Sequence, residues 1–281
     1  MAHSMRTTTL PVGEAIPVLG QGTWKMGESR RQREHEIAAL QAGIDLGMTL
    51  IDTAEMYADG LSEEVVADAI TGRRADVFLV SKVLPHHASF SGTIAACEAS
   101  LKRLRTDCLD LYLLHWRGQV PLEETLEAFD RLTRDGKIRH WGVSNFDVAD
   151  MEELAAIAGD RQPAVNQVLY NLTRRGIEYD LIPWCNKRAI PVMAYSPVEQ
   201  GRLLDSAEVK RIAERRGATP AQVALAWVLR RPGMIAIPKA GAAAHVRENR
   251  AALDLILNDE DLLALDRSFP PPKSAQALEM I

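Results

Sequence analysis

Four residues in the first half of this sequence carry side chains that, brought together, could hand a proton to an oxygen atom. Asp52 closes the run Leu50-Ile51, and Tyr57 follows in the next loop. Lys82 ends Val77-Phe78-Leu79-Val80-Ser81, and His115 ends Leu111-Tyr112-Leu113-Leu114. A phenol with its ordinary pKa of about 10 is a sluggish acid at neutral pH, and an ammonium beside it lowers that value by favouring the phenolate. Lys82 would supply the positive charge. Burial pushes a lysine toward the neutral amine, and an ionised Asp52 would keep it charged and in place. His115 would orient the acceptor oxygen by hydrogen bonding, and one donor to a developing oxyanion is worth roughly 10² to 10³ in rate. The chemistry that uses all four is the conversion of a carbonyl oxygen to an alcohol as hydride reaches its carbon. Singly, each residue has a plainer role: Asp52 as a helix cap, Tyr57 as a loop aromatic, Lys82 as a solvated strand-end charge, His115 as a core histidine. What separates them from those roles is position, because all four fall at the ends of three consecutive strand candidates.

The elements that must position them alternate. Short β-branched and aliphatic runs are separated by segments of helical period, the pattern of repeated βα units. Eight strand candidates are Val18–Thr23, Thr49–Thr53, Val77–Lys82, Leu109–His115, Trp141–Ser144, Ala164–Val168, Pro191–Ser196 and Met234–Pro238. Between them Ile37, Leu40 and Ile44, and again Leu122, Leu126, Phe129 and Leu132, recur at spacings of three and four and mark one buried helix face each. Thr219-Pro220-Ala221-Gln222 has the order of a capping box, and Pro121 with Glu123 and Glu124 marks another helix start. Residues 6 to 17 are polar and turn-rich and suit a hairpin closing the bottom of the barrel. Eight βα units could also build an open doubly wound sheet, but that fold needs a G-x-G-x-x-G loop, and Gly20-Gln21-Gly22 continues as Thr23-Trp24-Lys25 without the third glycine. The expected fold class is therefore α/β, a single (β/α)8 TIM barrel over residues 6–281 with extra helices near the C-terminus. In such a barrel the carboxyl ends of the strands form the active site, so the four residues can meet at one rim.

These residues also carry a family likeness. Gly47-Met48-Thr49-Leu50-Ile51-Asp52-Thr53-Ala54-Glu55-Met56-Tyr57 resembles the first signature of the aldo-keto reductases. The stretch from Phe129 to Phe146, ending Gly142-Val143-Ser144-Asn145-Phe146, resembles the second, and Ile237-Pro238-Lys239 with Glu248-Asn249 the third. The likeness runs over nearly the whole chain and is similar in its ending and phosphate region to bacterial methylglyoxal-reductase-like members. It implies NADPH-dependent reduction of aldehydes and ketones, with the cofactor extended across the barrel mouth. Ser144, Asn145 and Gln167 would hold the nicotinamide amide, and Tyr195 would stack on its ring. Asn and Gln offer a carboxamide both donor and acceptor, and an aromatic face fits a flat ring. By the same likeness Ser196, Gly201 and Leu203 would contact the pyrophosphate and Lys239 the ribose phosphate. The sequence departs from the pattern at Ala240, where the family has Ser or Thr, and at His245, where it has arginine; the nearby Arg247 is a planar fork suited to phosphate. NADPH is the expected cofactor, with NADH as the alternative. Trp141 replaces an aliphatic residue of the second signature.

Trp24 and Trp116 are candidate walls of the substrate pocket, with buried packing as the competing role. After Phe269 the chain has only Pro270-Pro271-Pro272 and nine more residues, an abbreviated ending that suits an open pocket for small aldehydes and ketoaldehydes. His86 and His87 form a loop pair without a third ligand, and no metal is expected. The net charge of -5, from 38 acidic and 33 basic residues that are interspersed, argues against nucleic acid or an acidic membrane surface as partner. Cys97, Cys108 and Cys185 are odd in number and widely spaced, which reads as free thiols in a reducing compartment. With no signal-type or membrane-length apolar run, a cytoplasmic monomer acting on a small carbonyl compound is the expectation. Met1 to Met5 read as a leftover of recombinant expression. Two rivals remain at this stage: a Schiff-base lyase using Lys82, and a non-catalytic nicotinamide-sensing protein.

Overall fold

The computed structural model describes residues 5–281; most of the segment read as an expression leftover lies outside the described residues. The chain opens with a hairpin, β1 (Thr7–Thr9) antiparallel to β2 (Ala15–Pro17). Eight parallel strands follow: β3 (Gln21–Gly22), β4 (Leu50–Asp52), β5 (Phe78–Val83), β6 (Leu109–Leu114), β7 (Ile138–Ser144), β8 (Asn166–Leu169), β9 (Val192–Tyr195) and β10 (Met234–Ala236). Each strand pairs with its sequence neighbours, so the order never reverses as it would in a doubly wound sheet. The last strand returns to the first. Leu19 bridges Ala236, Gly22 bridges Lys239, and the amides of Gly20 and Gly22 donate to the carbonyls of Ala236 (2.9 Å) and Pro238 (3.1 Å), which closes the barrel.

All eight strand candidates are strands, with edges moved by a few residues. The largest shifts are in β3, which begins at Gln21 rather than Val18, and in β7, which begins at Ile138 rather than Trp141. Arg139 and His140 hide the start of that strand from an apolar pattern because they serve the barrel bottom, where they pair with Glu14 of the hairpin and, for Arg139, with Asp110.

The helices are α1 (Arg33–Asp45), α2 (Leu61–Ala69), α3 (Phe90–Leu104), α4 (Leu122–Arg134), α5 (Val148–Ala158), α6 (Leu181–Lys187), α7 (Ala207–Arg216), α8 (Pro220–Leu229), α9 (Ala243–Ala251) and α10 (Asp259–Ser268). Helix α8 begins with the expected capping box, Thr219 bonding to the amide of Gln222 and the Gln222 side chain to that of Thr219. Two apolar layers hold the fold. One lies between strands and helices and includes Leu40, Leu126, Phe129 and Trp227. The other fills the barrel interior with Leu50, Val80, Leu111, Leu113, Met193 and Ile235, and the hairpin plugs its lower end with Leu10 and Ile16. The interior is a packed core, so chemistry is confined to the opposite mouth.

The closing seam leaves no room at Gly22, where an added Cβ would come within 2.6 Å of the Ile237 carbonyl oxygen. That neighbour is main chain held in the sheet and cannot swing aside. Gly22→Ala is expected to cost about 1–3 kcal/mol by overpacking. Calorimetry should show Tm lowered by several degrees, and an unchanged Tm would mean that the seam parts freely.

Candidate active site

Strands β4 and β5 are neighbours in register, Asp52 opposite Val80, and this brings Asp52 and Lys82 to the same rim. The Lys82 side chain is fully buried, and its Nζ donates to Asp52 Oδ2 at 2.8 Å, to the Thr53 carbonyl at 2.8 Å and to Tyr57 Oη at 3.2 Å. An ammonium has three protons, and all three are engaged. Burial pulls Lys82 toward neutrality, but the Asp52 carboxylate and Tyr57 more than offset it, and the pKa lies above the ordinary lysine value.

Tyr57 differs from the sequence expectation. Burial raises its pKa, and the opposing pull of Lys82, which acts in the expected direction, is too weak to reverse that. The phenol therefore keeps its proton throughout the neutral range. Its ring faces His115 edge-on at 5.9 Å between centroids, and the Lys82 ammonium lies 4.8 Å from the ring centre.

His115 is 8% exposed, and burial together with the Lys82 charge pushes its pKa down to about 2. The imidazole is neutral, so one nitrogen is bare. Nδ1 is buried without any partner among the described residues, so Nε2 is the nitrogen left to meet a ligand. The sign of the pH effect follows. The unfolded chain protonates this group near about 6.5 and the folded chain only far lower, so between those values acidification favours unfolding by roughly 1.4 kcal/mol per pH unit. Nitrogen NMR of labelled histidine should show a neutral His115 at about pH 5, where an exposed histidine is charged. A protonated signal there would overturn the assignment.

Around this cluster the structure adds a link that the sequence did not announce. Gln167 Nε2, on β8, donates to Asp52 Oδ1 at 2.7 Å and to Met193 Sδ at 3.0 Å. Asp52 thus holds Lys82 with one oxygen and Gln167 with the other. Ser144 Oγ donates to the Gln167 carbonyl at 2.8 Å. Asn145, at a left-handed φ of 57°, donates from Nδ2 to the His115 carbonyl and to Ser144 Oγ, both at 3.1 Å, and accepts from Tyr195 Oη at 2.9 Å. Asn145 does not cap the next helix; Asp147 does. Ser144, Asn145, Gln167 and Tyr195 therefore form one network that touches the cluster at Asp52 and His115. Gln167 Oε1 accepts nothing among the described residues, and Asn145 Oδ1 keeps one lone pair. Two free acceptor sites match the two N–H bonds of a carboxamide.

At the seam between β3 and β10 the chemistry is cationic. Most exposed arginines of this chain sit in ion pairs, but Lys239 and Arg247 are exposed and have no acidic partner among the described residues. Helix α9 starts just beyond Lys239 with Ala242 at its N-cap and no side chain satisfying the first amides, an arrangement that favours an anion. The buried Asn249 side chain has no hydrogen-bond partner among the described residues. His245 is exposed on the same helix, and its Nδ1 pairs with Glu248 Oε2 at 3.2 Å. In the segment after β9, Ser196 and Gly201 lie in left-handed conformations at φ 47° and 91°, and Gly201 has open space at its Cβ position. The Leu203 side chain is buried in the core, so its main chain is the part that could meet a pyrophosphate. The unpaired cations, the uncapped helix start and the free carboxamide acceptors fit a phosphorylated dinucleotide.

Of the two candidate wall residues, Trp116 packs on His115 at 5.0 Å between centroids. Trp24 is 39% exposed, and its recorded ring contact is with Lys25 Nζ, 4.5 Å from its centroid, rather than with the cluster.

Known proteins share this whole arrangement of elements. The model of the Aldo/keto reductase family matches residues 18–268. The methylglyoxal reductase YeaE of Escherichia coli (strain K12) is 56% identical over 272 residues, which cover 95% of this chain and 96% of that protein. The glyoxal reductase of Bacillus subtilis (strain 168) is 36% identical over 266 residues, covering 92% and 91%. A crystal structure of an aldo/keto reductase from Klebsiella pneumoniae, in complex with NADP and acetate, superposes with a TM-score of 0.96 at 53% identity, covering 99% of this chain and all of that one. The family match spans the barrel from the residues before β3 to the end of α10, and these relatives align nearly end to end, so the chain belongs to the aldo/keto reductase family.

Proposed function

We propose that this protein reduces small aldehydes and ketoaldehydes, methylglyoxal among them, to alcohols with NADPH, and that Tyr57 is the general acid. The observation that carries the reading is the Lys82 ammonium, fully buried and donating at once to Asp52, to the Thr53 carbonyl and to the Tyr57 hydroxyl. When bound, the nicotinamide supplies the hydride. Ser144, Asn145 and Gln167 would hold its carboxamide and Tyr195 its ring, with Ser196, Gly201 and the Leu203 main chain along the pyrophosphate and Lys239, Arg247 and Asn249 at the adenosine end.

The chain's own residues then act on the carbonyl oxygen. His115, held neutral by burial, donates from Nε2 and sets that oxygen in place without giving up its proton, because a neutral imidazole is a very weak acid. Tyr57 donates its proton as negative charge develops on the oxygen, and the resulting phenolate is stabilised by Lys82 at 3.2 Å. Asp52 keeps Lys82 charged and, through Gln167, ties the proton donor to the carboxamide site. An ammonium held above its ordinary pKa, with every proton engaged, has no lone pair for carbonyl attack, which counts against a Schiff-base lyase. The relatives named methylglyoxal reductase and glyoxal reductase favour small dicarbonyl substrates.

The test is a panel of aldehydes and ketones with NADPH and NADH in parallel, followed by loss of the reduced cofactor's absorbance. Turnover of methylglyoxal with NADPH preferred is the expected result. Tight NADPH binding with no turnover of any carbonyl would make the chain a cofactor-sensing protein instead.

A further inference from the structure

The turn that carries Tyr57 is not one its residues prefer. Ala58 and Asp59, directly after it, lie at φ 49° and 53°, the left-handed region that costs a residue with a Cβ about 1 kcal/mol or more. Such a turn persists only where surrounding contacts hold it. One contact stands out. The carboxylate of Glu55, two residues before Tyr57 and with a side chain only 9% exposed, reaches across to the loop after β5. Its Oε1 accepts from the Leu84 amide at 2.7 Å and meets His87 Nδ1 at 3.1 Å. Leu84 is two residues beyond Lys82, so one carboxylate fastens the proton donor's loop to the loop of its partner lysine. The far side of that loop is fixed as well. Pro85 packs so closely on Gly118 that an added Cβ there would lie 2.5 Å from the proline Cβ, and the Ala88 carbonyl accepts from Thr125 Oγ1 at 2.7 Å. The loop of Lys82 is therefore an anchor, and the turn of Tyr57 hangs from it.

We propose that Glu55 is a positioning residue for the reaction, its hydrogen bonds to the Leu84 amide and to His87 setting the distance and direction of the Tyr57 hydroxyl. This rests on the reading of Tyr57 as the proton donor. The Glu55 main-chain amide meets the Lys82 carbonyl at 3.5 Å, a bond every side-chain variant keeps, while its carboxylate bonds only the Leu84 amide and His87 among the described residues, so the two roles separate in the same experiment.

Glu55→Ala, Glu55→Gln and His87→Ala are compared with Tyr57→Phe for kcat, for NADPH affinity by fluorescence titration and for the solvent deuterium isotope effect on kcat. In Glu55→Ala, kcat is expected to fall about tenfold or more, since a displacement of order 1 Å at the reacting group has effects of that size and larger. NADPH affinity should stay within about twofold and the solvent isotope effect should rise, because proton transfer becomes the slow step. Glu55→Gln keeps an oxygen for the Leu84 amide and should recover most of kcat, with His87→Ala lying between. If Glu55→Ala does not fold, Glu55→Asp replaces it; its shorter arm cannot reach both partners, and an intermediate loss of kcat is expected. The inference is overturned if Glu55→Ala keeps both kcat and the isotope effect while Tyr57→Phe is inactive, or if kcat and NADPH affinity fall together without recovery in Glu55→Gln. An active Tyr57→Phe would instead overturn the reading of Tyr57 itself.

Discussion

Tyr57→Phe should lower kcat by about 10² to 10⁴-fold, the usual contribution of a positioned acid, while leaving NADPH affinity within about threefold. The two quantities separate because the substitution removes one atom at the reacting end and nothing from the network of Ser144, Asn145 and Gln167. The ring keeps its edge contact with His115 and its place beside the Lys82 ammonium. Lys82 loses one of three acceptors but retains Asp52 and the Thr53 carbonyl, so its charge and position persist. Stopped-flow measurement of NADPH oxidation with methylglyoxal, beside fluorescence titration of the cofactor, reads both. Turnover within about tenfold of the parent would remove Tyr57 from the chemistry and leave His115 as the only other group facing the carbonyl. The pH profile makes a second demand. A donor must hold its proton, and burial keeps the phenol above its ordinary value, so the reductive rate should be flat through the neutral range and decline only on the alkaline side.

Much of this site could be read before any coordinates because strand ends are where a barrel puts its chemistry, and strand ends are marked by the stop of an apolar run. Asp52, Lys82 and His115 each sit at such a stop, and Tyr57 is one short loop away. The bond from Gln167 to Asp52 left no such mark, since β4 and β8 are far apart in sequence and the contact exists only because the barrel closes. The start of β7 was hidden for a different reason: Arg139 and His140 are strand residues that answer to the hairpin rather than to the core. The ionisation of Tyr57 could be given a sign for each influence but not a sum, because the balance between burial and the Lys82 charge depends on how deeply the hydroxyl end is packed. Leu203 was named from the likeness by position, and only the fold shows that its side chain points into the core. Local order in the chain therefore locates reacting groups, while their couplings and energies come from closure and depth.

The buried pair offers a way to separate stability from chemistry. In Asp52→Ala the fully buried Lys82 ammonium loses its counter-charge, and in Lys82→Met the Asp52 carboxylate keeps only the Gln167 amide. Each single change leaves one uncompensated charge in the interior, which costs about 3–5 kcal/mol, and Tm should drop by roughly ten degrees for a chain of this size. The double variant Asp52→Leu with Lys82→Met removes both charges and puts apolar side chains of similar volume in their place. It should regain most or all of the lost stability, because the pair's attraction does little more than offset the cost of taking both ions out of water. Turnover should not return, since a Tyr57 phenolate would then form with no positive charge within reach. Thermal unfolding and NADPH oxidation measured on the three variants give three distinguishable patterns. A stable and active double variant would make the pair mere scaffolding, and single variants with unchanged Tm would mean that water reaches the pair. A stable but inactive double variant is what a buried charge retained for catalysis predicts, because its cost to the fold is then compensated only when the carbonyl oxygen takes its proton.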